Sequence, residues 1–230
     1  MNEGRVVSVN VGGIGEITWR DKIYRTGFLK EPVHAPAALG TLGFEDDRQA
    51  DLSAHGGPDK AVYASPSEHY PFWQDVLGTE LPPGSFRENL TVAGLSEETL
   101  VIGDRLDIGS VRLVVTQPRL PCVKLSARFL RADMTKRFTA EQRPGFYMSV
   151  ELSGSIGAGA WVSHLRGDGS VSVTDVFRLL TGQLVDDVLR DRALANPSLG
   201  EGARKRLEEL TEEPRGGRSP HPGGPGIFEQ

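Results

Sequence analysis

From Arg5 to about Trp161 the chain is a succession of short β-forming stretches cut by glycine and proline: RVVSVNV, GEITWR, KIYRTGF, KAVYA, ENLTV, RLDIG, VRLVVTQ and FYMSV. Runs this short and closely spaced, with few helical intervals between them, speak against regular βαβ repeats and predict a compact barrel or sandwich. In VRLVVTQ, Val111, Leu113 and Val115 alternate with Arg112 and Thr116, the pattern of a half-buried strand. That strand delivers the chain to QPRLPCVKL, which holds the single cysteine among 230 residues. No internal repeat of about 20–50 residues, the length of solenoid or propeller units, is present.

Helical signals are fewer. Ser65 opens SPSE, a capping-box pattern with Pro66 at the first helical position, and Tyr70, Trp73 and Leu77 then share a face. After Cys122, KLSARFLRADMTKRFTA predicts a second helical interval with Leu125, Phe129 and Phe138 turned inward. At RGDGS, near residue 166, the character changes: VSVTDVFRLL, GQLVDDVLRDRALA and EGARKRLEEL are three helical patterns separated by Gly182 and NPSLG. The expected organisation is a β-rich domain over 1–166, a three-helix domain over 172–211 and a disordered tail over 212–230. Four Pro and five Gly among residues 214–226 leave that tail little apolar surface to bury.

A hydrophobic fraction of 38% and a charged fraction of 25% fit a soluble globular protein, and no stretch approaches the roughly 18 apolar residues of a membrane span. The start, MNEGRVVSVNVGG, lacks a signal-peptide pattern, so a cytoplasmic location is expected. Net charge is −5, so no general attraction to nucleic acid follows, although a local basic pocket for a small anion does not conflict with it. One cysteine forbids an intramolecular disulfide.

The glycine run VNVGGIG is followed by strand-like EITWR rather than a helix, so it predicts a hairpin turn and not a dinucleotide loop. His34, His55, His69, His164 and His221 form no tight ligand pair, which argues against a protein-only zinc site, and His69 is expected on a helix as a surface or satisfied polar residue. In AHGGPDKAVYA, His55, Gly56 and Gly57 precede Lys60, a pattern that suits either an amide nest for an anion or a tight turn into a strand. Cys122 is either a small buried hydrophobe or a thiolate favoured by Arg119 and Lys124 and held stiffly by Pro118 and Pro121. Asp46 and Asp47 read as a solvated turn. No G-x-S-x-G elbow is present, and a Cys122–His55 nucleophile pair stays open.

Four stretches in this order, DDRQADLSAHGGPDKAVYA, PSEHYPFW, FRENLTVAGL with IGDRLDIG, and QPRLPCVKL, resemble the MOSC domain family, named for the C-terminal domain of molybdenum cofactor sulfurase. The similar branch is that of small bacterial proteins with a C-terminal three-helix domain that reduce N-hydroxylated bases, and the resemblance spans about residues 5–211. It implies an α+β, mainly β fold: a MOSC-type β-barrel with peripheral helices plus the three-helix domain. It further implies a molybdenum-pterin cofactor of molybdopterin type, with Cys122 as metal ligand and catalytic residue. His55, Gly56, Gly57, Lys60, Tyr63, Asn89, Gln117, Arg119 and Lys124 are the cofactor-binding candidates, with Tyr70 a weaker one. The implied activity is a molybdenum-dependent reductase acting on small N-hydroxylated molecules and supplied with electrons by an external reductase; the resemblance also implies a homodimer, with neither nucleic acid nor membrane as partner. The same resemblance admits a non-catalytic role in cofactor hand-over or as a persulfide carrier. Arg87 and Asp46 stand where related sequences usually carry glycine.

Overall fold

The computed structural model describes residues 3–27, 30–47 and 57–212. In chain order the strands and helices are β1 (Glu3–Val11), β2 (Gly15–Trp19), β3 (Lys22–Thr26), β4 (Glu31–Pro32), β5 (Ala37–Gly40), β6 (Gly43–Phe44), β7 (Val62–Pro66), α1 (Tyr70–Leu77), β8 (Leu90–Ala93), β9 (Arg105–Ile108), β10 (Val111–Pro118), α2 (Val123–Phe129), α3 (Met134–Glu141), β11 (Phe146–Leu152), β12 (Gly154–Ile156), β13 (Trp161–Leu165), α4 (Val173–Leu180), α5 (Asp187–Ala195) and α6 (Glu201–Glu212). Of the tail expected at 212–230, only Glu212 lies among the described residues, as the last residue of α6. No described helix is long and apolar enough to cross a membrane.

Seven strands close on themselves in the order β13-β9-β10-β11-β7-β8-β1, with β1 pairing back to β13 through Gly4↔Val162 and Arg5↔Trp161. Closure leaves no open edge in the ring, and β4 adds to the far end of β1. All ring pairings are antiparallel except β7–β8. A parallel pair needs a crossover, and α1 lies in the one between β7 and β8. Alternation fills the interior: Leu106 and Ile108 of β9 are buried while Arg105 and Asp107 face outward, and Leu113, Val115, Phe146 and Met148 complete the layer. A second apolar cluster, Tyr70, Trp73, Leu81, Phe86, Leu125, Met134 and Phe138, packs α1, α2 and α3 together.

Several local expectations change. Ser65 and Pro66 do not open a helix: they extend β7, pairing with Thr91 and Val92 of β8, and Pro66 is extended at φ −60°, ψ 132°. Strand pairing wins over the local cap, so helical structure starts at Ser67 with a 3₁₀ turn, and Glu68 accepts instead from the Gly94 amide at 2.8 Å. The interval after Cys122 is two helices, broken where Leu130 turns left-handed at φ 51°. VNVGGIG is not a hairpin turn, since β1 and β2 do not pair. The hairpin is β2–β3, turned by Arg20 and Asp21 with φ 47° and 62°, the signature of a tight type I′ turn. Strand β10 is half-buried only at its start. From Leu113 onward both faces are covered, Thr116 included, and α4 packs against this strand.

Helix α4 is capped by Ser172, which accepts from the Asp175 amide, and α5 by Asp186, which accepts from the Leu189 amide. Val173, Val176, Leu179 and Leu180 of α4, with Ala193, Ala203 and Leu207, belong to the same continuous core as the barrel residues Leu113 and Val115. The three C-terminal helices therefore share their apolar packing with the barrel.

Candidate functional site

A small open cleft is lined by Lys30, Asp47, Lys60, Tyr63, Arg87, Asn89 and Tyr147. Its walls come from both sheet and loops: Tyr63 from β7, Tyr147 from the facing position on β11, and Arg87 and Asn89 from the turn entering β8. Lys60 ends a short 3₁₀ turn after Gly57. Lys60, Tyr63 and Asn89, expected from sequence, are thus brought together. Lys30, Asp47 and Tyr147 join them without having been candidates, and Arg87, singled out as a departure from glycine, lies on the same cleft.

Asp47 is not on a solvated turn. Its side chain is 5% exposed and ion-paired with Lys30, while Asn89 Nδ2 donates to it at 2.9 Å and the Gly12 amide at 3.1 Å. A buried carboxylate is retained where donors satisfy it, and the local sequence carries no trace of partners 17 and 42 positions away. Asn89 is equally committed, because its Oδ1 accepts from the Tyr63 amide at 3.1 Å. Burial lowers the Lys30 pKa to about 8, with Asp47 opposing that shift and Arg87 and Glu88 acting as weaker charges on it.

The sign of this shift makes a prediction. The unfolded chain holds the Lys30 proton more tightly than the fold does, so protonation of Lys30 favours unfolding. That cost is fully present below pH 8 and fades as pH rises from about 8 toward 10.5. Between those values the unfolding free energy of the parent protein is expected to climb with pH more steeply than that of Lys30→Met, by up to about 1.4 kcal/mol per pH unit, in urea titrations. Parallel pH profiles would remove Lys30 as the buried base.

Beneath the cleft, Glu88 is fully buried and holds the turn that carries Arg87 and Asn89. It accepts from the Gly84 amide (2.8 Å), the Phe86 amide (3.1 Å), the Thr91 hydroxyl (2.9 Å) and the Tyr70 hydroxyl. Burial pushes its pKa up, against these donors, which pull it down. Tyr70, the weaker candidate, is thereby occupied in the core. Burial likewise pushes the Tyr63 phenol up, and the neutral hydroxyl donates to Pro144 O at 2.8 Å. The chain passes so close here that a Cβ at Gly145 would lie 2.4 Å from Ala64 O and 2.9 Å from the Tyr63 hydroxyl, and Gly145 has φ +67°. Only glycine fits.

Arg119 is 4% exposed, donates to Phe86 O and lies 5.0 Å from the Tyr63 ring centroid. Cys122 stands at the N-cap of α2, half-buried, outside the cleft lining but within electrostatic reach of Arg119. One buried guanidinium therefore packs on Tyr63 of the cleft wall, three residues before the only thiol in the sequence. Lys124 follows in the first turn of α2, largely buried. Gln117 is outside the cleft lining: its Oε1 lies 2.2 Å from where a Cβ on Gly200 would be, so it meets the start of α6, where Lys60 Nζ also comes within 3.4 Å of a Cβ on Gly202. Gly57 is exposed at φ 97°, and His55 and Gly56 lie outside the described residues. His69 is not at the surface. It is 6% exposed, its Nε2 3.3 Å from Glu97, and its Nδ1 has no hydrogen-bond partner. Among the described residues no group of three or more His, Cys, Asp or Glu could hold a metal ion.

The MOSC domain signature matches residues 51–163. YflK of Bacillus subtilis (strain 168) is 38% identical over 200 residues, 86% of this chain and 90% of YflK. The crystal structure of YiiM from Geobacillus stearothermophilus matches with a TM-score of 0.76 at 28% identity, covering 90% of this chain and 98% of that one. The chain belongs to the MOSC domain family. A protein named a reductase in Gibberella moniliformis (strain M3125 / FGSC 7600) is 33% identical over 191 residues, 79% of this chain but 32% of that longer protein. MOSC domains are associated with the molybdenum cofactor. The residues present suit such a group: Lys30, Lys60 and Arg87 gather positive charge around one cleft in a chain of net charge −5. The half-buried sulfur of Cys122 is a soft donor of the kind such a metal takes.

Proposed function

We propose that the protein is a molybdenum-cofactor-dependent reductase that removes oxygen from N-hydroxylated compounds, N-hydroxylated purine bases among them, with Cys122 as the protein sulfur on the metal. The observation that carries this reading is a cation-lined cleft in a MOSC fold, with buried Arg119 packed on its Tyr63 wall three residues before the lone thiol. When bound, the cofactor supplies the two-electron chemistry that separates oxygen from nitrogen. Lys60 and Arg87 would hold anionic groups in the cleft. Lys30, whose pKa burial lowers to about 8, would lend a proton to the departing oxygen. Asp47 and Asn89 keep that ammonium in position. Electrons come from a separate reductase, since a chain with one cysteine has no set of ligands for an iron–sulfur cluster.

The test is direct. Protein purified from a host that makes the cofactor is incubated with an N-hydroxylated purine and a chemical reductant, beside protein from a host that cannot make it. Conversion to the aminopurine is expected only with the first preparation. Turnover by both, or by neither, would end this reading.

A further inference from the structure

Charge is unevenly spread along this chain. Residues 122–143 carry six lysines and arginines against two carboxylates, in a protein whose net charge is −5. They form α2, the turn after it and α3, with Arg143 just beyond. In that turn Leu130 ends α2 in a left-handed conformation, φ 51°, and is 71% exposed. Leucine adopts this conformation at a cost, and here it also holds a large apolar side chain in water. The turn is fixed, because the Arg131 amide donates to Ser126 O at 3.0 Å and the Arg131 guanidinium to Val76 O at 2.9 Å. The neighbouring cations are positioned too. Arg131 and Arg137 share Asp133, at 2.9 and 3.2 Å, and Arg128 lies over the Phe129 ring, 5.8 Å from its centroid. Lys136 is exposed on α3. An exposed apolar knob beside several held arginines has the composition of a protein contact site.

We propose that the α2–α3 face is where the electron donor docks, and that the donor is an electron-carrier protein with an acidic contact surface. This rests on the reductase reading above, in which Cys122 is the protein sulfur on the metal. Cys122 is the N-cap of α2 and Leu130 its C-cap, so one short helix, about 10 Å long, joins the thiol to the knob. Each turnover, R–NHOH + 2 e⁻ + 2 H⁺ → R–NH₂ + H₂O, oxidises the carrier by two electrons in total and takes its protons from solvent. A face of opposite charge steers an acidic carrier to the helix that begins at the metal ligand, and a small contact lets it leave again. Nucleic acid is the poorer match, because Arg128 and Arg143 already cover the rings of Phe129 and Phe72, the latter at 4.8 Å, where a base would stack.

Holoprotein from a cofactor-making host is titrated by calorimetry with flavodoxin, an acidic electron carrier, and with cytochrome c, a basic one, beside the variants Leu130→Gly and Lys136→Glu. The parent is expected to bind flavodoxin and not cytochrome c, with affinity falling about tenfold or more between about 50 and about 300 mM sodium chloride. Each variant is expected to bind flavodoxin at least about fivefold more weakly at the lower salt. Because glycine adopts φ 51° freely, Leu130→Gly should melt no lower than the parent, which separates lost docking from lost folding. Equal flavodoxin affinity in parent and variants would overturn the proposal, as would cytochrome c binding or no flavodoxin binding at the lower salt. Sedimentation showing a parent dimer that both variants break would give the face to a second copy of the chain, and a single-stranded oligonucleotide that displaces flavodoxin would give it to nucleic acid; either overturns it. These readouts need no turnover, so failure here is distinct from failure of the reductase assay.

Discussion

Cys122→Ala, made in a cofactor-competent host, is expected to give a folded protein with at least about tenfold less molybdenum per chain than the parent. The fold should survive because the cysteine is only half-buried, stands at the start of α2 and makes no side-chain cap hydrogen bond. The change in unfolding free energy should stay within about 1 kcal/mol. Metal retention should fall, because the described residues contain no cluster of His, Cys, Asp or Glu to hold the metal and the chain contains no second thiol to substitute. Cys122→Ser sharpens the comparison: it keeps the size of the side chain and replaces a soft sulfur by a hard oxygen, so it should lose metal almost as fully as alanine does. Equal molybdenum in the parent and both variants would remove Cys122 from the site and leave the cationic cleft to another role.

The sequence reading succeeded where information was local and failed where it was not. Alternation in RLDIG and VRLVVTQ disclosed β9 and β10 because each strand has one face toward the barrel interior over at least part of its length. The C-terminal helices were legible from their periodic apolar residues and the breaks at Gly182 and NPSLG, whereas the Ser172 and Asp186 caps emerge only in the structure. Ser65 misled because its capping pattern is real as a string, and only a parallel partner strand 26 positions away at Thr91 makes extension the better state. The cleft shows the same division. Lys60, Tyr63 and Asn89 sit in stretches that resemble the family, whereas Lys30 lies in FLKEPV, which carries no motif, and becomes a site residue only when the fold sets Asp47 against it. Tyr147 looked like any inward residue of FYMSV. Its position opposite Tyr63 in the β7–β11 register is what puts it on the cleft wall, with the ring centroids 5.1 Å apart. Arg87 was conspicuous as a departure from glycine, and its positive φ now supplies the physical reason why glycine is usual there.

Glu88→Ala is expected to cost about 3–5 kcal/mol of unfolding free energy in urea titrations, the largest effect of any single polar substitution argued for this fold. The carboxylate is fully buried and satisfies four donors, two backbone amides and two hydroxyls. Alanine leaves those donors without an acceptor in a space that also lost its side chain, and each orphaned buried group carries its own desolvation cost. Glu88→Gln discriminates charge from shape: it fills the same volume but turns an NH₂ group toward atoms that are themselves donors, so it should recover only part of the loss. The consequence reaches the cleft, because Glu88 fixes the turn from which Arg87 and Asn89 project and contacts Tyr70 behind it. Stability and cofactor retention should therefore fall together in Glu88→Ala. If Glu88→Ala weakened neither, the buried carboxylate would be a bystander and the rigidity assigned to the cleft would have to come from elsewhere in the barrel.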